Sequence, residues 1–279
     1  MSQTQLLPAW ASTAVGELLR GRGQDATVLG STRVASYLSV PEPGSSTPVI
    51  ALLSEQAVRL PIAVTVAGTL PEAGSTVRIG DGLIVAHDHA WRPVRWWDPR
   101  PHLVAGDLLR HGPELLEVLK DEPPCLLGLS LADALSVAGA LAAGDVGPAL
   151  AVIGLGPGLT PAGDDVVAGA LAVLSLCGGL DDAVRDSIRL HAATHTTALS
   201  AALVAAAGRG QVIPQAAAVL AALATRGPSG PLRAAVAELF RVGATSGHDL
   251  CAGMAGILAR SVSAEAFRSI GGACTGSPR

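Results

Sequence analysis

"GLGPGLTPAGDDVVAGALAVL", Gly154 to Leu174, joins a glycine- and proline-rich loop to a long apolar run. Four glycines and two prolines precede the adjacent pair Asp164 and Asp165, and the apolar residues that follow have helical spacing. A helix start needs only one capping side chain. The second aspartate and Thr160 exceed that need, which favours a functional loop over a simple helix cap.

The composition of this loop is typical of an anion-binding site. Gly156, Gly158 and Gly163 allow backbone amides to approach a ligand closely, and the prolines restrict the turn. The helix that follows directs its positive end to the same place. The loop lacks both the GK[ST] sequence of a nucleotide phosphate loop and the βαβ setting of a dinucleotide fingerprint, so we predict no organic cofactor.

A second stretch repeats this pattern later in the chain. "AGDDVVAGALAVL" (162–174) aligns without a gap with "SGHDLCAGMAGIL" (246–258), so that Gly163 matches Gly247 and Asp165 matches Asp249. If the two stretches are related, two helix N-termini present one aspartate each to a shared pocket. Chance similarity in a chain rich in alanine and glycine is the alternative.

The aspartates have three possible roles at such a pocket. Asp165 and Asp249 are candidate Mg²⁺ ligands beside an anionic substrate, since Mg²⁺ prefers carboxylates shared with substrate oxygens. Together with Asp164 they are also candidate catalytic groups that move a proton. The remaining possibility is that they only cap helices.

A polar patch lies between the two repeated stretches, in "HAATHTTALS" (191–200). We predict that part of it forms a pocket wall that binds substrate: His195, Thr196, Thr197 and Ser200. The alternative is that the hydroxyls bond to carbonyls of their own helix. His191 and His195 have the i,i+4 spacing of a zinc pair, but a third ligand is lacking nearby.

Composition excludes several classes of partner. Apolar residues make up 49% of the 279 residues, charged residues 15% and aromatic residues 3%, which predicts a core of Ala, Leu and Val with closely packed helices. The net charge is −4, lysine occurs once and no basic run exists, so nucleic acid and membranes are not expected partners. Four cysteines without CxxC spacing and the lack of a signal-peptide pattern predict a cytoplasmic protein.

The residue pattern of the chain changes near residue 100. Short β-branched runs between residues 26 and 98, with a hairpin signal at "IGDG", predict a small β-barrel or sandwich in a domain spanning 1–100. Helical periodicity predicts a mostly α-helical domain over 101–279 that carries the glycine-rich loop, giving an α+β protein. The expected helices are a short one at 12–19 and then 103–120, 130–143, 166–177, 181–208, 214–225, 230–242 and 250–262.

Three blocks of the chain resemble the AllH-like family of bacterial proteins: "GLGPGLTPAGDDVVAGAL", "THTTALSAALVAAAGRG" and "GATSGHDLCAGMAGIL". The resemblance covers about residues 103–258. One branch of that family is a subunit of oxamate carbamoyltransferase, which acts with two partner subunits in allantoin-derived nitrogen catabolism. Its reaction converts oxalurate and phosphate into oxamate and carbamoyl phosphate.

The resemblance implies a set of site residues and a function. The residues from the three blocks are Gly156, Gly158, Thr160, Gly163, Asp164, Asp165, Thr196, Thr197, Ser200, Ser246, Gly247 and Asp249. The implied function is that of a carbamoyltransferase-type subunit that binds a small phosphate or carboxylate substrate and works with partner subunits. The alternatives are a non-catalytic structural or regulatory subunit, or a small-anion enzyme with another substrate.

Overall fold

The computed structural model describes residues 5–40, 49–87, 89–122, 128–225 and 230–262. The chain divides into two compact units, Met1–Pro99 and Arg100–Arg279. The first unit is built from strands and the second from helices, which confirms the α+β class. Within the described residues no helix is both long and apolar enough to cross a membrane.

The first unit is a closed eight-stranded barrel in the order β1-β5-β4-β3-β2-β6-β7-β8. Most neighbours are antiparallel, but β1 pairs in parallel with β8, and β4 with β5. The strands are β1 Gln5–Ser12, β2 Gln24–Ser31, β3 Ala35–Ser39, β4 Val49–Leu53, β5 Ala63–Val66, β6 Thr76–Gly80, β7 Leu83–Ala86 and β8 His89–Trp97.

Alternation of buried and exposed residues explains the barrel wall. In β2 the side chains of Ala26 and Val28 point inward while their neighbours are exposed. The predicted hairpin at "IGDG" is confirmed, since Asp81 and Gly82 have φ values of 53° and 78° between β6 and β7. Trp91 is fully buried and donates its indole N–H to the Ala67 carbonyl at 2.8 Å.

The prediction for the first twenty residues was wrong in part. The expected helix at 12–19 is a single 3₁₀ turn, Thr13–Val15, followed by the short helix α1, Gly16–Arg20. The preceding strand β1 was not predicted, because Pro8 interrupts its β-type pattern. The strand that contains this proline nevertheless closes the barrel, because β1 pairs with both β5 and β8.

The second unit contains the remaining helices. They are α2 Ala105–Asp121, α3 Leu131–Ala142, α4 Gly147–Val152, α5 Ala162–Leu176, α6 Asp182–His195, α7 Ala198–Ala207, α8 Pro214–Ala224, α9 Gly230–Leu239 and α10 Ser246–Leu258, with a 3₁₀ turn at Ala259–Val262. The short helix α4 was not predicted. The expected single helix at 181–208 is two helices, α6 and α7, because the chain is extended at Thr196 and Thr197.

Helices α5 and α10 form the most extensive helix–helix contact among the described residues. Every residue of α5 from Ala162 to Leu174 is buried, so the helix lies in the core with neighbours on all sides. The two helices cross at Gly169 and Gly253. A Cβ at Gly169 would collide with the Leu250 carbonyl, and a Cβ at Gly253 would collide with the Val166 carbonyl.

The described cysteines are consistent with a packing role. Cys251 lies in the buried face of α10 and Cys177 follows α5, and both are free thiols. Burial raises the pKa of Cys251 to about 12 and that of Cys177 to about 11, so both stay as unreactive thiols at neutral pH. Cys125 and Cys274 lie outside the described residues.

Candidate functional site

The two repeated loop–helix entries meet in the structure. The Thr160 hydroxyl, from the glycine-rich loop, lies 2.9 Å from the Ser246 hydroxyl at the start of α10. The crossing contacts of Gly169 and Gly253 are also equivalent, because the residues they touch, Leu250 and Val166, occupy matching positions in the alignment. A related pair explains this symmetry better than chance similarity does.

The equivalence extends upstream of the aligned helices. The Leu155 amide donates to the Val152 carbonyl at 2.9 Å, and Gly163 donates to Leu155 at 3.0 Å. The second copy has the same two bonds, from Val242 to Leu239 and from Gly247 to Val242, both at 3.0 Å. In the first loop, the bonded residues Leu155 and Gly163 are eight positions apart. In the second loop, Val242 and Gly247 are five positions apart. The glycine-rich loop is therefore the longer copy.

Gly163 and Gly247 have a packing role at these entries. A Cβ at Gly163 would collide with the carbonyl of Val152, at the end of α4, and a Cβ at Gly247 would collide with that of Leu239, at the end of α9. Only glycine allows each helix to begin this close to the preceding one. Their occurrence in both copies thus has a structural cause.

Asp164 holds the surroundings of the loop together. Its carboxylate accepts hydrogen bonds from the Gly154 amide at 2.7 Å, from the Ser200 hydroxyl at 2.6 Å and from the Thr196 hydroxyl. The side chain is 1% exposed. Three donors from three segments satisfy the buried charge. Asp164 therefore joins the loop to the start of α7.

Asp165 has a different environment from its neighbour. It is 9% exposed, and its Oδ2 has no hydrogen-bond partner among the described residues. Burial raises the pKa of Asp165 to about 8, and the charges of Asp249 and Asp164 add to the rise, while hydrogen bonds from Ser246 and Thr160 oppose it. A carboxyl with this pKa holds a proton at neutral pH and can release it.

The aspartates are not helix caps. The N-cap positions of α5 and α10 are Pro161 and Thr245, and neither makes a side-chain capping bond. Asp165 and Asp249 lie within the first turns, and their side chains are buried. The capping interpretation of the sequence is therefore wrong.

The tip of the glycine-rich loop is exposed. Residues 155–159 all face solvent, and Gly154, Gly156 and Gly158 have φ values of 81°, 123° and 97°. These are left-handed conformations that glycine adopts without strain. The Thr197 hydroxyl donates to the Leu159 carbonyl at 2.6 Å and anchors the far side of the loop. The backbone at the tip is thus preset although it lies at the surface.

The structure separates the predicted polar patch 191–200 into two parts. Thr196 and Ser200 reach Asp164, whereas Thr197 caps α7 by accepting from the Ser200 amide at 3.0 Å. The ring of His195 is exposed and stacks on His191 with centroids 3.7 Å apart. The backbone carbonyl of His195 lies close to Gly154, where an added Cβ would collide with it.

Asp249 lines a cavity beside α10. The cavity has a volume of about 390 Å³ and is lined by Leu119, Lys120, Glu122, Leu129, Ser130, Leu131, Phe240, His248, Asp249 and Ala252. Asp249 is 2% exposed and accepts from the Leu129 amide at 3.1 Å through Oδ1, while Oδ2 has no partner among the described residues. Burial raises the pKa of Asp249, while hydrogen bonding by the Thr245 side chain and by the Leu129 amide opposes the rise. The predicted shared pocket thus has two parts, Asp165 beside Thr160 and Ser246, and Asp249 beside this cavity.

The sequence did not indicate two residues of these surroundings. Lys120 and Leu129 lie outside the aspartate pattern, and Leu129 comes close through the packing of α3 against α10. His248 could have been found, because it occupies in the second copy the position of Asp164 in the first.

A complete metal cage is absent from the described ranges. No group of three or more His, Cys, Asp or Glu there could hold a metal ion. For the stacked pair His191 and His195, the residues that the structure describes supply no third ligand. Any metal at Asp165 and Asp249 would need ligands from substrate or water.

Comparison with known proteins gives one match. No curated protein and no solved structure matches the chain. The family match lies wholly within the helical unit and runs from the end of α4 to the end of α10, which includes both loop–helix entries. Residues 152–258, less than half of the chain, match the family model of AllH, described as oxamate carbamoyltransferase subunit AllH, which confirms the resemblance found in the sequence.

Proposed function

We propose that the chain is a subunit of a carbamoyltransferase-type enzyme of the oxamate carbamoyltransferase kind. The observation that carries this proposal is the match of residues 152–258, which includes the meeting point of Thr160, Ser246 and Asp165. The substrate is a small phosphate or carboxylate anion, such as phosphate, carbamoyl phosphate or oxalurate. The description of the matched family as a subunit supports partner subunits for this chain as well.

The glycine-rich loop binds the anion in this proposal. The left-handed backbone at Gly156 and Gly158 and the N-terminus of α5 provide amides that attract negative charge. Thr160, Ser246 and Thr197 add hydroxyls at the base of the loop. Preset amides also stabilise the charge that develops on a carbonyl oxygen during carbamoyl transfer.

Asp165 moves the proton in this proposal. When phosphate attacks the carbamoyl carbon of oxalurate, the bond from that carbon to the oxamate nitrogen breaks and the nitrogen takes up a proton. A carboxyl with a pKa of about 8 carries that proton at neutral pH and can recover one from the attacking phosphate. Asp164 accepts three hydrogen bonds, so its role in this proposal is to hold the loop in place and not to transfer the proton.

Mg²⁺ is the ion that we propose for Asp165 and Asp249. Both Asp165 and Asp249 keep a buried oxygen without a partner in the described part of the chain, and hard oxygen donors are what Mg²⁺ prefers. Two carboxylates with substrate oxygens are a common Mg²⁺ set. When bound, the ion would neutralise charge on the phosphate. Mg²⁺ should then strengthen anion binding, and Asp165→Asn should remove that gain.

Calorimetry on the full chain tests the anion site. Carbamoyl phosphate, phosphate and oxalurate are titrated separately, each with and without Mg²⁺. We expect saturable binding of at least one anion, and weaker binding after Thr160→Val, which removes a hydroxyl at the meeting point. Asp181→Asn is the control, because Asp181 is an exposed aspartate at the start of α6. Absence of binding for all three anions, with and without Mg²⁺, contradicts the proposal.

A non-catalytic structural subunit is the second candidate. It is favoured by the roles of Gly163, Gly247 and Asp164, which packing and hydrogen bonding explain without a ligand. This candidate predicts that Asp165→Asn and Thr160→Val change stability only. It also predicts that the same variants leave the activity of the chain with its partner subunits unchanged.

A further inference from the structure

Two residues that line the cavity beside α10 have buried polar atoms without hydrogen-bond partners among the described residues. Oδ2 of Asp249 and Nδ1 of His248 are both buried and have no hydrogen-bond partner among the described residues. Both residues line the cavity. An unpaired buried polar atom costs free energy, so two of them at one cavity call for a ligand that satisfies them.

The equivalent position in the first copy has hydrogen-bond partners. Asp164, which aligns with His248, receives donors from Gly154, Thr196 and Ser200. In the second copy, Nδ1 of His248 has no hydrogen-bond partner within the described part of the chain, and the ring stacks on Phe240 with centroids 3.7 Å apart. The two copies have therefore diverged, one into a closed hydrogen-bond network and the other into an open cavity.

The missing partners are hydrogen-bond donors. An ionised carboxylate oxygen only accepts hydrogen bonds. A neutral imidazole accepts a hydrogen bond at one ring nitrogen, and Nδ1 of His248 has no partner among the described residues. A group with at least two N–H bonds can donate to both atoms.

The remaining lining defines the rest of the ligand. Leu119, Leu129, Leu131 and Phe240 provide an apolar wall. Lys120 forms an ion pair with Glu117 at 2.8 Å, so its charge is largely compensated. The acidic groups Glu122 and Asp249 both line the cavity, and both interact electrostatically with His248. The cavity therefore has an excess of negative charge. A volume of about 390 Å³ suits a small molecule.

We propose that this cavity binds the NH₂ or NH₃⁺ end of a small organic molecule, with Asp249 and His248 as acceptors and the leucine wall against its apolar part. The shared chemistry is an N–H donor group, which a primary amine or a primary amide can supply. The negative surroundings favour the amine. This site goes beyond the proposed anion function, because Asp249 is the only residue that the two have in common.

Three matched probes test the site on the full chain by calorimetry: n-butylamine, butanamide and butyrate. They share an apolar tail and differ in the head group. We expect saturable binding of butylamine or of butanamide but not of butyrate, which has no N–H donor. Binding of the amine assigns a cationic ligand, and binding of the amide alone assigns a neutral one.

Two variants locate the binding. His248→Phe keeps an aromatic ring on Phe240 and removes the acceptor, and Asp249→Asn replaces the carboxylate at nearly the same size. Each should weaken binding by about tenfold or more, as for loss of a hydrogen bond to a charged or buried group. Asp181→Asn should have no effect, and thermal unfolding of each variant verifies that it is folded. If Asp249→Asn does not fold, His248→Phe carries the test.

The proposal is overturned if wild-type protein binds neither butylamine nor butanamide at millimolar concentration, or if binding persists in His248→Phe. Failure here is distinguishable from failure of the anion site. Anion titrations on the same preparations should be unaffected by His248→Phe. A Mg²⁺ site shared by both aspartates would be lost in Asp165→Asn, which leaves the amine site intact.

Discussion

Asp164 accepts three hydrogen bonds, whereas its neighbour Asp165 keeps one buried carboxylate oxygen without a partner in the described part of the chain. The two side chains leave α5 in different directions, one toward α7 and the other toward the start of α10. Neighbouring aspartates thus have separate roles. This difference leads to two predictions at the scale of single residues.

Stability should fall with rising pH because of Asp165. Its pKa is about 8 in the folded chain, against 3.8 for an unperturbed aspartate. Between about pH 4 and pH 8 the folded state therefore holds a proton that the unfolded state has released, and the free energy of unfolding decreases as pH rises, by at most about 1.4 kcal/mol per pH unit. Asp165→Asn should remove this part of the slope.

Chemical denaturation across that pH range, with a chelator present, measures the effect. The difference between wild type and variant isolates Asp165, because Asp249 titrates in both. Parallel curves for the two proteins would show that Asp165 titrates normally.

Ser200→Ala should destabilise the helical unit by about 2 kcal/mol. The Ser200 hydroxyl is 2.6 Å from Asp164, and a hydrogen bond to a buried charge contributes more than a neutral one. Ser136→Ala, at an exposed position of α3, is the matched control and should change stability very little. Equal effects for the two changes, measured by urea denaturation, would contradict a special role for the Asp164 network.

At the scale of elements, the crossing of α5 and α10 depends on two glycines. Gly169→Ala should cost about 2 to 3 kcal/mol, because the added Cβ would collide with the Leu250 carbonyl and force the helices apart. Gly253→Ala should have a similar effect, since its contact with Val166 is equivalent. Thermal or urea unfolding of the full chain checks both changes.

Gly106→Ala is the control for these changes. Gly106 lies in α2 with no heavy atom within 4 Å of an added Cβ, so alanine should leave stability unchanged or raise it by up to about 1 kcal/mol. A loss at Gly106 as large as that at Gly169 would contradict the crossing as the cause, because an added Cβ at Gly106 meets no close neighbour.

The sequence predicted elements with a strong period and missed those defined by distant contacts. The buried run 162–174 and its copy at 246–258 were found because small residues recur at fixed spacing. Strand β1 was missed because its partners, β5 and β8, are far away in sequence and Pro8 weakens the local pattern. The break between α6 and α7 was missed because Thr196 donates its hydroxyl to the buried Asp164, a contact that local periodicity does not contain.

In the candidate site, too, features that follow from the local pattern were predicted and features that depend on distant contacts were not. The residue types at the two loop entries and their meeting were predictable from the repeat. The separate environments of Asp164, Asp165 and Asp249 were not, because they depend on hydrogen-bond donors from Gly154, Ser200 and Leu129. The assignment of His195 to the pocket wall also stays a prediction. In the structure, its ring stacks on that of His191.

At the scale of the molecule, the barrel has its own core. Strand β1 pairs on one side with β5 and on the other with β8, so it closes the sheet. A fragment of residues 1–99 should therefore fold alone, with a strand-type circular dichroism spectrum and a cooperative melt. A fragment of residues 13–99, which lacks β1, leaves two unpaired edges and should be unfolded or aggregated. Similar melts for both fragments would show that closure does not matter.

The long separation of α5 and α10 affects how the chain is made. Helix α5 is buried on all sides, yet the helix that covers it is completed only at Leu258. During synthesis, α5 leaves the ribosome more than seventy residues before that cover exists, and it exposes an apolar surface throughout this interval. Premature termination before α10 should therefore yield aggregation-prone products, and the nascent chain should depend on chaperones that shield α5 until translation passes residue 258.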